Sequence, residues 1–328
     1  MNLEEKKINK WTYFSFILLF VISAVVLTLC SINGGALDLG LSKAVVRIPV
    51  GTRSASTWLG TSFEIFGAYP ICIIGCFVLL LLEYVFRVKG YGGKLNMALR
   101  VLIIAVSIGV AIYCTHDVLK FAYFIQNDKY DSLWSGLFSF SLLITIPISL
   151  ILNVALYYMI AKMALDPDKV LRFVIVGLIG IIVSFVIVHV LKAVMPRERY
   201  RAIWFLNGGD FANYFTPWYK PGTILDLPMA VKDDFASFPS GHTQAASTLF
   251  IFMLMPYYFK EFNTKTAQIK CFGIAFLVVI ITAFSRVIEG AHFLSDVSMG
   301  LFITSLSIFI PFVIERSLYY KKLENLGA

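Results

Sequence analysis

WTYFSFILLFVISAVVLTLCS, residues 11–31, carries no charged side chain. Neither does SLWSGLFSFSLLITIPISLILNVALYYMIA, residues 132–161. A helix needs roughly 20 apolar residues to cross the hydrocarbon core of a bilayer, and both stretches reach that length. The rest of the chain has the same character. Of its 328 residues 59% are hydrophobic and only 15% are charged, against about a quarter charged in a soluble domain. Most of the surface must therefore face something other than water. The fold class expected is all-α: a polytopic transmembrane helical bundle.

Eight spans are predicted, at about 11–31, 65–86, 97–116, 133–161, 172–192, 238–259, 269–288 and 293–314. The third is weakened by Arg100, which leaves only Val101–Thr115 strictly uncharged. Lys6, Lys7 and Lys10 ahead of the first run resemble a signal peptide. That run is long for one, and Leu29 stands where processing would need a small residue, so it is read as a retained span. With the N-terminus inside, the five inner segments hold 16 of the 28 Lys and Arg residues in short loops beside span ends. This bias predicts both termini in the cytoplasm.

The net charge of +8 follows from that loop distribution and gives no reason to expect nucleic acid as a partner. Cys30, Cys72, Cys76, Cys114 and Cys271 lie in or at the ends of apolar segments, where a thiol is a small packing residue. The longest loop, 193–237, falls outside and carries Tyr200, Trp204, Phe205, Phe211, Tyr214, Phe215, Trp218 and Tyr219. Such rings settle at the headgroup level. Two readings stand side by side, a gate over a site and a plain aromatic belt.

Ionisable residues beside spans are costly and need a reason. Three clusters stand out, all at predicted outer span ends. They are Lys192 to Arg199, Pro239-Ser240-Gly241-His242, and Ser285-Arg286 followed by His292 and Asp296. Each alone has a bland reading: a basic anchor, a helix N-cap, and a hydrogen-bonded pair four residues apart. Their common side of the bilayer favours a joint role.

Together they match the needs of phosphoryl transfer. The transferred group carries negative charge, which positioned cations and donors stabilise. Lys192, Arg199 and Arg286 supply the cations, with planar geometry from the arginines. Ser240 and the amides of Gly241 and His242 open a helix, where N–H groups converge on an anion. One histidine can attack phosphorus while another protonates the leaving oxygen. A carboxylate behind the nucleophile fixes its tautomer. No cluster has the spacing of a metal-ligand set, and no cofactor is expected.

The pattern resembles the type 2 phosphatidic acid phosphatase family, whose signatures are K-x6-R-P, P-S-G-H and S-R-x5-H-x3-D. The second and third match completely, at Pro239–His242 and at Ser285, Arg286, His292 and Asp296. The first matches through Lys192 and Arg199, but Tyr200 replaces the proline, which puts local loop geometry in question. The resemblance implies His292 as the nucleophile that becomes phosphohistidine, Asp296 as its orienting partner and His242 as the general acid. It implies Lys192, Arg199, Ser240, Gly241 and Arg286 as the phosphate clamp. Arg197 and Glu198 match no family position and are read as supporting residues. His116 reads as a loop residue and His189 as a satisfied intramembrane group. Glu289 reads as a partner for a neighbouring cation.

The organisation expected is therefore three parts. Residues 1–170 form N-terminal spans and loops, 171–316 a phosphatase core with the outer loop 193–237, and 317–328 a cytoplasmic tail. The activity implied is hydrolysis of a membrane lipid phosphate or polyprenyl diphosphate at the outer face of the cell membrane. A lipid phosphotransferase using the same intermediate is the alternative, and a transporter with charge-lined walls is a third reading. The haloperoxidases that share the core signature are soluble, which this chain is not.

Overall fold

The protein is described by a computed structural model covering residues 3–49, 52, 57–127, 133–225 and 229–325. Its helices in chain order are α1 (Leu3–Leu29), α2 (Ala36–Val45), α3 (Trp58–Phe66), α4 (Tyr69–Lys89), α5 (Asn96–Asn127), α6 (Leu133–Ala161) and α7 (Pro167–Val194). There follow α8 (Tyr200–Leu206), α9 (Phe211–Tyr214), α10 (Gly241–Ser247), α11 (Met255–Tyr258), α12 (Lys265–Ile288) and α13 (Leu294–Asn325). Among the described residues there is no strand, only an isolated bridge between Arg197 and Ala236. The all-α helical bundle expected from composition is what forms. Ser132, the first residue of the second uncharged stretch, lies outside the described residues.

Seven segments among the described residues are helical, long and apolar enough to cross a bilayer: 10–29, 58–89, 93–123, 141–161, 167–194, 265–288 and 294–321. The expected span at 238–259 differs. It is α10, a 3-10 stretch at Thr248–Leu254, and α11 in succession. The departure has a local cause. Thr248 Oγ1 donates to the Ala245 carbonyl at 2.6 Å, competing with the α-helical ladder, and Pro256 restarts α-geometry at α11. The tighter coil rises about 2.0 Å per residue against about 1.5 Å for an α-helix. Eighteen residues thereby reach about 30 Å, the thickness of the hydrocarbon core.

This broken segment occupies the centre, packed by α4, α7, α12 and α13. The main core forms around it from Phe77, Phe173, Phe250, Ile251, Val279 and Phe312. Gly177 and Gly180 let α7 approach its neighbours: a Cβ at Gly180 would lie 3.0 Å from Ile308 Cγ1. Small residues at such crossings are what membrane helices use to pack closely. On one flank α1 lies on α13, with Phe16 and Phe20 against Phe309. On the other, α5 and α6 continue outward from α4. Arg100, the residue that weakened the third span, reaches the buried Glu83 on α4 at 2.9 Å. Ser107 donates to Asn153 at 2.6 Å and ties α5 to α6. Val101, Leu102, Ile151 and Ile182 stay exposed, an apolar exterior of the kind that faces lipid.

Candidate active site

The chain reverses tightly between α12 and α13, and the three sequence clusters meet there at one end of the bundle. Phe293 caps α13, and the Asp296 carboxylate reaches back to its amide at 2.8 Å. Ser237, just ahead of the second motif, sits between the histidine and the acid. Its hydroxyl donates to Asp296 Oδ2 at 2.5 Å, and its carbonyl lies 2.6 Å from His292 Nδ1. A carbonyl only accepts, so Nδ1 carries the proton and the neutral ring keeps its lone pair on Nε2. Asp296 Oδ2 is 3.8 Å from Nδ1, beyond hydrogen-bond reach. The direct orienting partner of His292 is thus the Ser237 backbone, with Asp296 acting one step behind.

Burial holds the His292 imidazole well below its usual range, Arg199 and Lys192 push the same way, and the Asp296 carboxylate opposes them. The ring is therefore an uncharged base at neutral pH.

Asp296 is in turn fixed by a buried guanidinium. Arg197 bridges Asp296 at 2.5 Å and Asp38 on α2 at 2.9 Å. It also donates to Ser295 Oγ and the Thr216 carbonyl, both at 2.8 Å, and lies 4.2 Å over the Phe293 ring. Asp38 also accepts from the Ser295 amide at 2.9 Å and from its hydroxyl. Burial alone would lower Arg197, but Asp296 and Asp38 hold its affinity for the proton above normal. Removing one partner of such a pair strands a buried charge.

Lys192, Arg199, Gly241, His242 and His292 all line one cavity of 330 Å³. Lys192 donates to the Ala236 carbonyl. Arg199 spans the Asp233 carboxylate at 2.8 Å and the Ala291 carbonyl at 3.1 Å. Burial would raise the Asp233 carboxyl; Arg199, Arg201 and Lys192 override that and hold it at about 2. The lining also includes the aromatic rings of Tyr113, Phe121 and Phe185, with Phe121 6.1 Å from the His242 ring.

Two expected clamp residues stand apart from the cavity. Ser240 is fully buried and caps α10, accepting from Thr243 N at 3.3 Å and Thr243 Oγ1 at 3.1 Å. Its amide donates to the Asp296 carbonyl at 3.0 Å, which locks α10 to α13. Arg286 is also fully buried. It donates to the Gly60 carbonyl at 3.1 Å and lies 3.3 Å from Glu64 Oε2. Glu64 is gripped as well by Arg201 at 3.0 and 3.1 Å. The Glu64 carbonyl lies 3.1 Å from His242 Nε2, so that nitrogen bears the proton.

Sequence reasoning missed Asp38, Glu64, Arg201, Ser237 and Asp233. Glu64 had a signal, since it is a lone acid inside SFEIFGAYPICIIG, residues 62–75, and such a residue marks a site by default. Of three other expectations, one changes. His116 is inside α5, with Nδ1 3.0 Å from Ser141 Oγ, and is no loop residue. His189 contacts the Phe185 carbonyl at 2.8 Å, as a satisfied group would, yet it also lines the cavity. Glu289 accepts from the Thr57 hydroxyl at 3.0 Å and its charge also acts on the neighbouring Arg286, in keeping with the expected cation partner.

The aromatic loop is tied down from within. Tyr200, at the position of the missing proline, opens α8 and stacks on Phe211 at 4.5 Å. Trp218 stacks on Phe238 and donates to the Leu27 carbonyl at 3.2 Å. Trp204 and Tyr219 remain exposed.

Compared with known families, residues 173–318 match the model of the PAP2 superfamily. That bears out the resemblance read from the three motifs over the stretch that carries them, and its members are phosphatases of phosphate esters. No curated protein and no solved structure gave a match.

Proposed function

We propose that this chain, with a PAP2-superfamily segment over its C-terminal half, is an integral membrane phosphatase. Its substrate is a lipid phosphate or polyprenyl diphosphate, and its intermediate a phosphohistidine on His292. The observation that supports this best is the fixed tautomer. Nδ1 of His292 is committed to the Ser237 carbonyl, so Nε2 keeps its lone pair in the cavity that also holds Lys192, Arg199 and His242.

The reaction follows in two steps. Nε2 attacks phosphorus, a P–N bond forms, and the bond to the lipid oxygen breaks while His242, protonated on both ring nitrogens in the substrate complex, delivers its Nε2 proton to that oxygen and is left neutral. Water then attacks the phosphohistidine, His242 takes a proton from that water, and the P–N bond breaks to release phosphate. Lys192 and Arg199 neutralise charge that grows on the equatorial oxygens. Because side chains supply these cations, turnover is expected to persist in chelator. The aromatic lining of Tyr113, Phe121 and Phe185 suits a hydrocarbon chain. The bias of 16 of 28 Lys and Arg residues to one set of loops supports an outward-facing site with both termini inside.

The test is phosphate release by the purified protein from a panel of lipid phosphates and diphosphates. His292→Ala is expected to abolish it on every substrate. Transfer of phosphate to a second lipid with no free phosphate formed would replace hydrolysis by phosphotransfer.

A further inference from the structure

One short helix contacts both Arg286 and His242. Along α3, the Gly60 carbonyl and the Glu64 carboxylate sit on Arg286, and the Glu64 carbonyl accepts the proton of His242 Nε2. The arginine and the histidine belong to separate motifs, yet two turns of α3 occupy them together. Lys192, Arg199, His292 and Glu64 line the cavity, and Arg286, beneath Glu64, does not. Arg286 Nε has no hydrogen-bond partner although the residue is fully buried. A guanidinium with an idle N–H under a carboxylate retains capacity for a larger anion.

The seating of α3 is close and depends on glycine. A Cβ at Gly60 would fall 1.9 Å from Glu289 Oε2 and 2.6 Å from Thr57 Oγ1, so a larger residue there must displace the Glu289 carboxylate and the Thr57 cap or move the helix. Thr57, which caps α3, is tied to the same Glu289. At its other end α3 stops at Gly67 and Ala68 before α4 begins. It is a nine-residue helix joined to α4 through these two residues alone.

We propose that Glu64 is a stand-in anion: its carboxylate holds the place of substrate phosphate on Arg286, and α3 withdraws when phosphate binds. This rests on the phosphatase reading above. A carboxylate left in place would repel the incoming dianion, while its departure frees Arg286 and returns the His242 proton to the leaving oxygen. Both consequences follow from one movement. Arg201, which grips Glu64 with both terminal nitrogens, holds the resting state.

Glu64→Gln tests this, because the amide keeps the shape and loses the charge. Binding of orthovanadate and inorganic phosphate to the purified protein is measured by calorimetry, beside KM and kcat for a lipid phosphate. If the covered form holds about nine-tenths of the molecules, the variant is expected to bind both anions about ten-fold more tightly and to show a lower KM. Gly60→Ala, which crowds the Glu289 carboxylate and the Thr57 cap that seat α3, should tighten anion binding in the same direction. Unchanged or weaker anion binding in both variants overturns the proposal and makes Glu64 a structural partner of the two arginines. Wild-type protein that binds neither anion and releases no phosphate from any lipid removes the phosphatase reading, and the stand-in role with it.

Discussion

His292, the proposed nucleophile, is oriented by a backbone carbonyl, and that changes what its acid partner can be asked to do. In the serine-protease triad the aspartate fixes the tautomer directly, and its amide replacement lowers turnover about ten-thousand-fold. Here the Ser237 carbonyl keeps the proton on Nδ1 whether or not Asp296 is charged. Asp296→Asn should therefore retain the correct tautomer but lose the field that stabilises the cation on the phosphorylated ring, and it leaves Arg197 paired with Asp38 alone of these two acids. A kcat loss of about 10²–10³-fold is expected, below the triad figure, with phosphate release as the readout. A loss beyond ten-thousand-fold would mean that the carboxylate moves onto Nδ1 during the reaction.

A second residue-scale effect concerns pH. Burial raises the Glu198 carboxyl to about 7, Asp234 adds to it, and the bond from Asn207 opposes. Its ordinary value is 4.5, so between about 4.5 and 7 the native state holds a proton that the unfolded chain releases. Stability from this group is complete below 4.5 and is lost as pH rises through 7. Glu198→Gln should remove that slope. The variant should melt higher than wild type at pH 8, by on the order of 2 kcal/mol, and match it at pH 4.5. Thermal unfolding in detergent at both pH values decides this. Equal melting at pH 8 would show that Glu198 is charged without penalty in the native state.

At the level of elements, the motif helices were legible in the sequence and the way they meet was not. Apolar runs located α7, α12 and the start of α13 within about five residues, because hydrocarbon thickness sets span length, but α13 continues to Asn325, past the expected end at 314. The central segment was legible as apolar but not as a 3-10 stretch, since that geometry comes from packing on all sides and from the Thr248 bond. Ser240 had two readings in the sequence, a phosphate ligand at a helix start and a plain N-cap; in the structure it caps α10. Gly300 shows the same limit. Nothing in the local sequence marks it, yet a Cβ there would lie 2.6 Å from the Ser240 carbonyl. Gly300→Ala must separate α13 from the start of α10, and with it His292 from His242. A displacement near 1 Å at reacting groups costs about 10²-fold. A kcat loss of that order is expected while the protein elutes unchanged on gel filtration. Full activity would show that the α10–α13 junction tolerates slack.

At the scale of the whole molecule, the N-terminal half is part of the site rather than a separate anchor. Asp38 on α2 and Glu64 on α3 complete ion pairs with Arg197 and Arg286, although neither acid lies in the segment that matches the superfamily. Motif reading could not find them, because each family signature lies in the C-terminal half. Their carboxylates must fold onto the motif end of the bundle, so the topology of the first 170 residues determines whether the site is complete. α1, α4, α5, α6 and α7 follow one another as crossings, and an odd number of crossings lies between the N-terminus and the motif loop. If the N-terminus is inside, that loop is outside.

Asn213, in the loop between α7 and α10, and Asn263, between α11 and α12, are both exposed and stand on either side of the central crossing. Cysteine at Asn213 should react with a membrane-impermeant maleimide in intact cells, in a background without the five native cysteines, whereas cysteine at Asn263 should react only after permeabilisation. The opposite pattern would place the cavity inside, and an inward-facing site would have to take its lipid from the cytoplasmic leaflet. Labelling of both positions from outside would leave no crossing between them. The 3-10 segment could then not span the bilayer, and the argument from its length of about 30 Å would fail with it.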